Sequence, residues 1–496
     1  MPTENAVKIA LEALKNRDFT AARAAAAGFD MAEADILAFQ VKGLAELGME
    51  DWWAAMATFA AATARFPGQA LFWLNKGIAE ENLGLKDEAV ASYEKCLALD
   101  PAQGDACGNL SNLYRKRRKF AEAEAMARRA LDLGAAKSAA LNALGLALGR
   151  QGKFAEAEKT FAEAAQAAPG DPDIVANQAN LAVDQLQLEK AWPLFAAARA
   201  IENKPVFRYH EGMARLLAGD YARGWELYEA RLELPQALRI KPDCPRWQGE
   251  DLTGKKLLIV AEQGLGDAIQ FCRYGAFLKD AVLIWAVPAP LVRLLSRQLR
   301  GTVLDENAPL PVCDFYAPIM SLPFLTKRFV PETASPYLKA SNAPRLPEGK
   351  HRRKIGLVWA GSPTHERDHE RSMKLETLAL LVKKIEADFY APFKNPALAQ
   401  IGNLPITRVD HLARDFADMA ALIAHLDCLI TVDTAAAHLA GALGIKTYAL
   451  LSWCPDWRWG ADGKTAWYES VETLRQPRYG DWNGLVGELL HKLHSK

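Results

Sequence analysis

Alanine recurs at positions 21, 55, 89, 123, 157 and 191, five successive steps of 34 residues. No other feature narrows the fold as much, because a fixed period of this length means stacked copies of one supersecondary unit. Three further phases keep the same step. Small residues run Gly43, Gly77, Ser111, Gly145 and Ala179, and bulky ones Phe59, Tyr93, Phe161 and Phe195, with Ala127 in the third copy. Pro67, Pro101 and Pro169 close successive copies, with Ala135 standing in once. Small residues let the two helices of a hairpin touch, aromatics fill the gap to the next hairpin, and proline stops the second helix by removing an N–H donor. The chain should therefore begin with a solenoid of about six to seven helical hairpins over residues 1–230, the last a looser unit around Tyr221, Gly224 and Trp225.

This pattern resembles the tetratricopeptide repeat. Such hairpins bury their apolar faces only by stacking, and the superhelix they form offers an extended concave surface, so a protein partner is expected. The plainer alternative is that the array only scaffolds or dimerises. A basic run, Arg115 to Lys119, falls at a hairpin turn and reads either as a solvated helix end or as a contact for an acidic segment of the partner.

Composition removes several other classes. Sixty basic and sixty acidic residues cancel, which argues against nucleic acid or an anionic membrane held by bulk charge. The seven cysteines (96, 107, 244, 272, 313, 428 and 454) are odd in number and contain no Cys-x-x-Cys pair, so neither a disulfide framework nor a zinc site is suggested. Met1 to Lys15 reads as an amphipathic helix carrying Glu4, Lys8, Glu12 and Lys15, without the apolar stretch of a signal peptide. No apolar run approaches the ~20 residues needed to span a bilayer. A cytoplasmic protein without membrane insertion is the expectation.

The repeat phase is lost from 231 to 254, where Pro235, Pro242, Pro245 and Gly249 mark a linker. Strand-length apolar runs then alternate with helical stretches. The first lobe, 255–345, holds strands at Lys256–Ala261, Val282–Val287 and Val303–Asp305, with helices at Ala268–Leu278 and Leu291–Leu299. The Pro-rich segment Pro331–Lys354 leads into a second lobe, 352–480, with strands at Ile355–Trp359, Asp388–Tyr390, Cys428–Val432 and Thr447–Leu451. Its helices are read at Leu375–Ile385, Phe416–His425 and Ala435–Leu443, and a C-terminal helix at 481–496. Such βαβ alternation implies parallel sheets covered on both faces. Parallel sheets bind ligands beyond the carboxyl ends of their strands, which singles out the loops after Ala261, Trp359, Tyr390, Val432 and Leu451.

The loop after Val432 reads Asp433, Thr434, Ala435, Ala436, Ala437, His438. The amides and dipole of the helix start favour a phosphate, and the small alanines let it approach; equally, Asp433 or Thr434 simply caps the helix and His438 packs inward. Taken together, Ala261 to Asp267 (Ala-Glu-Gln-Gly-Leu-Gly-Asp), Gln270-Phe271, Trp359 to Pro363, Arg371-Ser372, Asp415 to Asp418, Asp433 to Ala440 and Pro455 to Trp459 resemble the heptosyltransferase family, glycosyltransferase family 9. Bacterial proteins that fuse tetratricopeptide repeats to this kind of domain, flagellin glycosyltransferases among them, share more of the pattern. The likeness covers nearly all of residues 245–490.

The resemblance implies an α + α/β chain: a helical solenoid followed by a GT-B pair of Rossmann-like domains, acceptor side first and nucleotide-sugar side second. It also implies the roles. Asp267 matches the general base, with Glu262, Gln263, Gly264 and Gly266 in the acceptor-side loop and the two glycines letting it approach the sugar; the competing role for Asp267 is an N-cap for a helix from Ala268. Lys394 matches a phosphate-binding lysine, although Ala391-Pro392-Phe393-Lys394 departs from the family's usual Ser-Leu-Gln-Lys. Asp433, Thr434, Ala435 and His438 match the donor-phosphate loop, with Ser362 and Arg371 across from it. Asp456 and Arg458, set among Trp453, Trp457 and Trp459, read as a sugar-binding wall or as a buried pair.

Two motifs are decoys. His365-Glu-Arg-Asp-His369 fits the zinc-protease string, but Pro363 and the polar run through Arg371 deny it the buried helix that chemistry needs, so it is read as a mobile loop over the donor. Gly264-Leu-Gly-Asp lacks the third glycine of a dinucleotide fingerprint. The function expected is transfer of a sugar, without metal or other cofactor, from a nucleotide-sugar co-substrate to a serine or threonine of a protein docked by the repeats, flagellin being a candidate. A degenerate, non-catalytic adaptor and a transferase acting on a cell-envelope saccharide are the alternatives.

Overall fold

The computed structural model describes residues 4–32, 34–235, 238–330 and 336–494. Met1 to Thr3 of the expected first helix, and Pro331 to Ser335 of the expected Pro-rich segment, lie outside the described residues. The chain forms two compact units, 1–181 and 182–496.

In the first unit the 34-residue period becomes antiparallel helix pairs, for example Ile36–Gly48 with Trp52–Arg65 and Ala70–Asn82 with Lys86–Leu99. The alanine phase is the contact line: Ala55, Ala89, Ala123 and Ala157 are wholly buried. The small and bulky phases prove to be two halves of one contact. A Cβ on Gly43 would stand 2.4 Å from the Phe59 ring, on Gly77 2.5 Å from Tyr93, and on Gly145 2.8 Å from Phe161. Where the ring is replaced by Ala127, the opposing residue grows to Ser111, which is buried and donates to the Ala123 carbonyl at 2.8 Å. Volume is thus conserved across the helix pair, as close packing demands. The basic run at the hairpin turn is tied down: Lys116 pairs with Glu81 at 2.9 Å, and Arg117 with Asp87 and the Lys86 carbonyl.

The second unit begins inside the repeats. Its helices Leu188–Ile201, Pro205–Leu217 and Tyr221–Tyr228 share one core with the α/β part. The break near residue 181 therefore falls earlier than the sequence boundary at 230. Trp225 explains the difference: it is fully buried, its indole N–H donates to the Phe329 carbonyl at 2.9 Å, and its ring meets Tyr228, Phe271 and Trp457 edge to face at 5.2–5.6 Å. Arg231, expected in a linker, is buried and makes a two-pronged bond to Glu262 at 2.8 and 2.9 Å.

Two parallel sheets follow. The first lobe contains β1 (Lys256–Val260), β2 (Val282–Val287), β3 (Thr302–Asp305) and β4 (Phe315–Pro318), ordered β3-β2-β1-β4. The second contains β5 (Lys354–Val358), β6 (Asp388–Ala391), β7 (Ile406–Arg408), β8 (Cys428–Val432), β9 (Thr447–Leu451) and β10 (Val471–Arg475), ordered β10-β9-β8-β5-β6-β7. In both, chain direction along the sheet reverses beside the first strand, the doubly wound arrangement whose ligand crevice opens at that reversal. Strands β4, β7 and β10, which sit at sheet edges, are not among the strands expected from sequence. The first helix of the α/β part also starts earlier than expected, at Leu265 rather than Ala268, and gives way to tighter 3-10 turns after Phe271.

The reciprocal packing of glycine and ring yields a test. Gly77→Ala should destabilise the chain by about 1–3 kcal/mol through overpacking. Pairing Gly77→Ser with Tyr93→Ala, which copies Ser111 and Ala127, should cost less than the sum of the two single changes in thermal unfolding; strict additivity would contradict the packing scheme.

Candidate active site between two sheets

The loops after β1, β5, β6, β8 and β9 converge on one cavity of about 890 Å³. Every residue singled out from sequence lines it except Glu262: Gln263, Gly264, Gly266, Asp267, Ser362, Arg371, Lys394, Asp433, Thr434, Ala435, His438, Asp456 and Arg458. Glu262 faces the other way. It is 1% exposed and accepts from Arg231 and from the Met320 N–H at 3.0 Å, so it fixes the loop from behind instead of meeting an acceptor.

Asp267 sits in the first turn of the helix Leu265–Phe271, with Gly264 at the N-cap. It is not itself the cap: its Oδ2 reaches back to accept from the Gly264 N–H at 2.7 Å, while Oδ1 accepts from Arg458 at 2.5 Å. Gly266 also has a packing role. A Cβ on Gly266 would lie 2.7 Å from His438 Cδ2, so this glycine permits the helices Leu265–Phe271 and Ala435–Leu443 of the two lobes to touch. Gly264 would meet only the Asp267 carboxylate, at 3.2 Å.

Arg458 forms the buried pair with Asp456 and also lines the cavity. It is 7% exposed, lies 4.0 Å over the Trp457 ring, and donates to Asp267, to Asp456 Oδ1 at 2.8 Å and to Gln270 Oε1 at 3.0 Å. Two carboxylates and an amide oxygen compensate a charge that burial alone would make costly. Burial acts to raise the Asp456 carboxyl, and Arg458 more than reverses it, leaving the group below its ordinary value. Asp433 behaves oppositely: burial, reinforced by Asp456, pushes it up against the pull of Arg371.

In the loop after β8 it is Thr434, not Asp433, that caps the helix Ala435–Leu443, accepting from the Ala436 N–H at 3.3 Å. That bond occupies one amide an anion would use. His438 stacks on Trp459 at 5.1 Å, bonds Tyr468 through Nδ1 at 3.0 Å, and is driven down to about 3 by burial and by Arg458. Burial thus favours the neutral ring, which lines the cavity while stacked on Trp459. The cations that line the cavity with fewer partners are Arg371, whose one recorded carboxylate contact is 3.4 Å to Asp368, and Lys394, which makes no hydrogen bond or ion pair among the described residues. Gly361 leaves room for Arg371; a Cβ there would stand 2.7 Å from its guanidinium. The altered loop before Lys394 has a defined path, because Phe393 is buried edge-on against Trp359 at 5.0 Å and leaves Lys394 exposed.

Several lining residues have no role assigned to them from the sequence. Arg239 comes from the linker and pairs with Glu306 at 3.4 Å. Asn395 donates to the Gly361 carbonyl at 2.6 Å, joining the loops after β5 and β6. Asp415 caps the helix Phe416–Ala424 and is gripped by Arg293 of the first lobe at 2.5 and 2.6 Å, a second bridge across the cavity. The Asp-Phe-Ala-Asp string is visible in the sequence; its partner, 122 residues away, leaves no local trace.

Comparison with known proteins bears on the repeats. The tetratricopeptide repeat family matches residues 41–104 and 109–172. The N-terminal region is built of tetratricopeptide repeats. The chain is 26% identical over 499 aligned residues to Protein FlbA of Caulobacter vibrioides, covering 84% of this chain and 83% of that protein, a share too large for the repeats alone. Among solved structures, a tetratricopeptide repeat protein from Parabacteroides merdae is 15% identical, covering 47% of this chain and 93% of its own (TM-score 0.41). YrrB, described as a TPR protein with an unusual peptide-binding site, is 19% identical, covering 35% and 91% (TM-score 0.28). No helix among the described residues is long and apolar enough to cross a membrane.

The buried ring sets a pH dependence. The depressed value of His438 means the unfolded chain takes up a proton near 6.5 that the folded chain refuses until about pH 3. Its contribution is fully present above 6.5 and drains away as pH falls, by at most roughly 5 kcal/mol. A histidine chemical-shift titration should show this ring uncharged at pH 5, and protonation near 6.5 would contradict the packing described.

Proposed function

We propose that this protein is a GT-B protein glycosyltransferase that works without a metal. The observation that carries the reading is the sharing of one cavity by a carboxylate of the first lobe, Asp267, and the cations Arg371 and Lys394 of the second. In the reaction, Asp267 takes the proton of a serine or threonine hydroxyl as its oxygen bonds to the anomeric carbon. The bond from that carbon to the phosphate oxygen breaks, and the electron pair leaves with the nucleotide. Arg371, Lys394 and the start of the helix Ala435–Leu443 offset the charge that develops there. The nucleotide-sugar is a co-substrate and no other cofactor enters. The repeats hold the acceptor polypeptide in the cytoplasm, and flagellin is the acceptor class to try first, on the resemblance of the α/β part to repeat-fused transferases.

One observation favours a second reading, a non-catalytic adaptor: both oxygens of Asp267 already have partners, Gly264 and Arg458. Each carboxylate oxygen carries a further lone pair, so the base role survives sterically. The two readings part in the intact mass of an acceptor co-expressed with the chain. A transferase adds a sugar mass; an adaptor leaves the acceptor unmodified. Asp267→Asn should lower transfer by at least about 100-fold while leaving acceptor binding intact, and Lys394→Ala by at least about tenfold. Undiminished transfer by Asp267→Asn would remove the proposed base.

A further inference from the structure

The segment from Gly361 to Ser372 lines the cavity with Ser362, Thr364, His365 and Arg371. Its sequence is almost wholly polar, and a loop of that kind has no core of its own to hold it in place. It is closed on itself by a short relay: the Gly361 N–H donates to Ser372 Oγ at 2.9 Å, and that hydroxyl donates to Asp368 Oδ1 at 2.8 Å. Its outer side is fastened elsewhere. Arg367 is clamped by Glu370 through Nε at 2.7 Å and reaches Asp184 Oδ1 at 3.2 Å. Asp184 is the final residue of the helix Pro172–Asp184, the first helix of a repeat-type hairpin, and lies within the second unit.

A second contact supports the same place. The carbonyl of Val183 accepts from Cys454 Sγ at 3.5 Å, and Cys454 precedes Asp456 in the cavity loop after β9. Val183, Leu186 and Leu188 pack on the α/β core around these contacts. The hairpin turn therefore underpins two cavity loops at once, one carrying Arg371 and the other Arg458. Of the two contacts, only that to Asp184 is ionic, and Asp184 itself does not line the cavity.

We infer that Asp184, a residue supplied by the repeat hairpins, is a positioning residue for the anion-binding loop: through Arg367 it sets where Arg371 stands. This rests on the reading of that loop as the holder of the donor's phosphate. The acidic residue at the end of a repeat helix then contributes to the strength with which a phosphate is held, without touching it. The repeats serve the donor as well as the acceptor.

Inorganic pyrophosphate is the probe, titrated calorimetrically into the full chain. Asp184→Asn should weaken its binding by roughly tenfold, the worth of one charge-assisted hydrogen bond. Amide hydrogen exchange across 361–372 should quicken in the same variant, while the thermal midpoint stays near that of the wild type. Asp184→Glu, which can still reach Arg367, should restore both quantities; a merely structural side chain would not give that rescue alongside an unchanged midpoint. Wild-type affinity in Asp184→Asn, with or without faster exchange, overturns the inference and leaves the transferase reading standing. Failure of the wild type itself to bind pyrophosphate overturns both.

Discussion

The buried guanidinium of Arg458 ties the two lobes of the α/β part to each other at the cavity. Arg458 of the second lobe donates to Asp267 of the first, to Asp456 beside it and to Gln270 beneath, and lies on the Trp457 ring. A cation taken out of water this completely is tolerable only with its partners in place, so the two lobes, the start of the first helix and the floor of the cavity are fixed by one requirement. Around it, Gly266 brings the helices into contact at His438, and Arg293 grips Asp415 on a separate pair of elements. The cavity is preorganised by contacts that also exist for folding, and the base role proposed for Asp267 falls on a carboxylate that already serves the structure.

Much of this was written locally in the chain. The step of 34 residues gave the hairpins because small, bulky and helix-ending residues each answer a neighbour at fixed distance. The carboxyl-end rule for parallel sheets found the cavity loops, because that rule depends on strand direction alone. Illegible were the pairings with no local trace: Arg458 with Asp267, separated by 191 positions, and Trp225 with Phe329, separated by 104. Glu262 was assigned by its place in a motif, and what turned it inward was Arg231, in a stretch that looked like linker. Of the glycines in the same motif, Gly266 has a histidine of the other lobe against it, a contact with no local trace in the sequence.

His438 shows how a motif residue changes meaning once its surroundings are known. In sequence it stands beside a phosphate-ready helix start and invites a charge. In place it is stacked, hydrogen-bonded through Nδ1 and discharged by burial. The positive charge available to an anion is carried instead by Arg371 and Lys394, on loops after other strands, and their convergence depends on Gly361 and Phe393 leaving them room and direction.

The fusion of the last hairpins with the α/β core bears on how such chains can be recombined. Because Trp225 and Arg231 are interior residues of the second unit, the last repeat helices and the α/β part are not modules with a free seam between them. A chimera that swapped arrays at residue 230 would strip an indole from the centre of its recipient. The splice belongs upstream of Ala182, with the terminal hairpins travelling as part of the domain they complete.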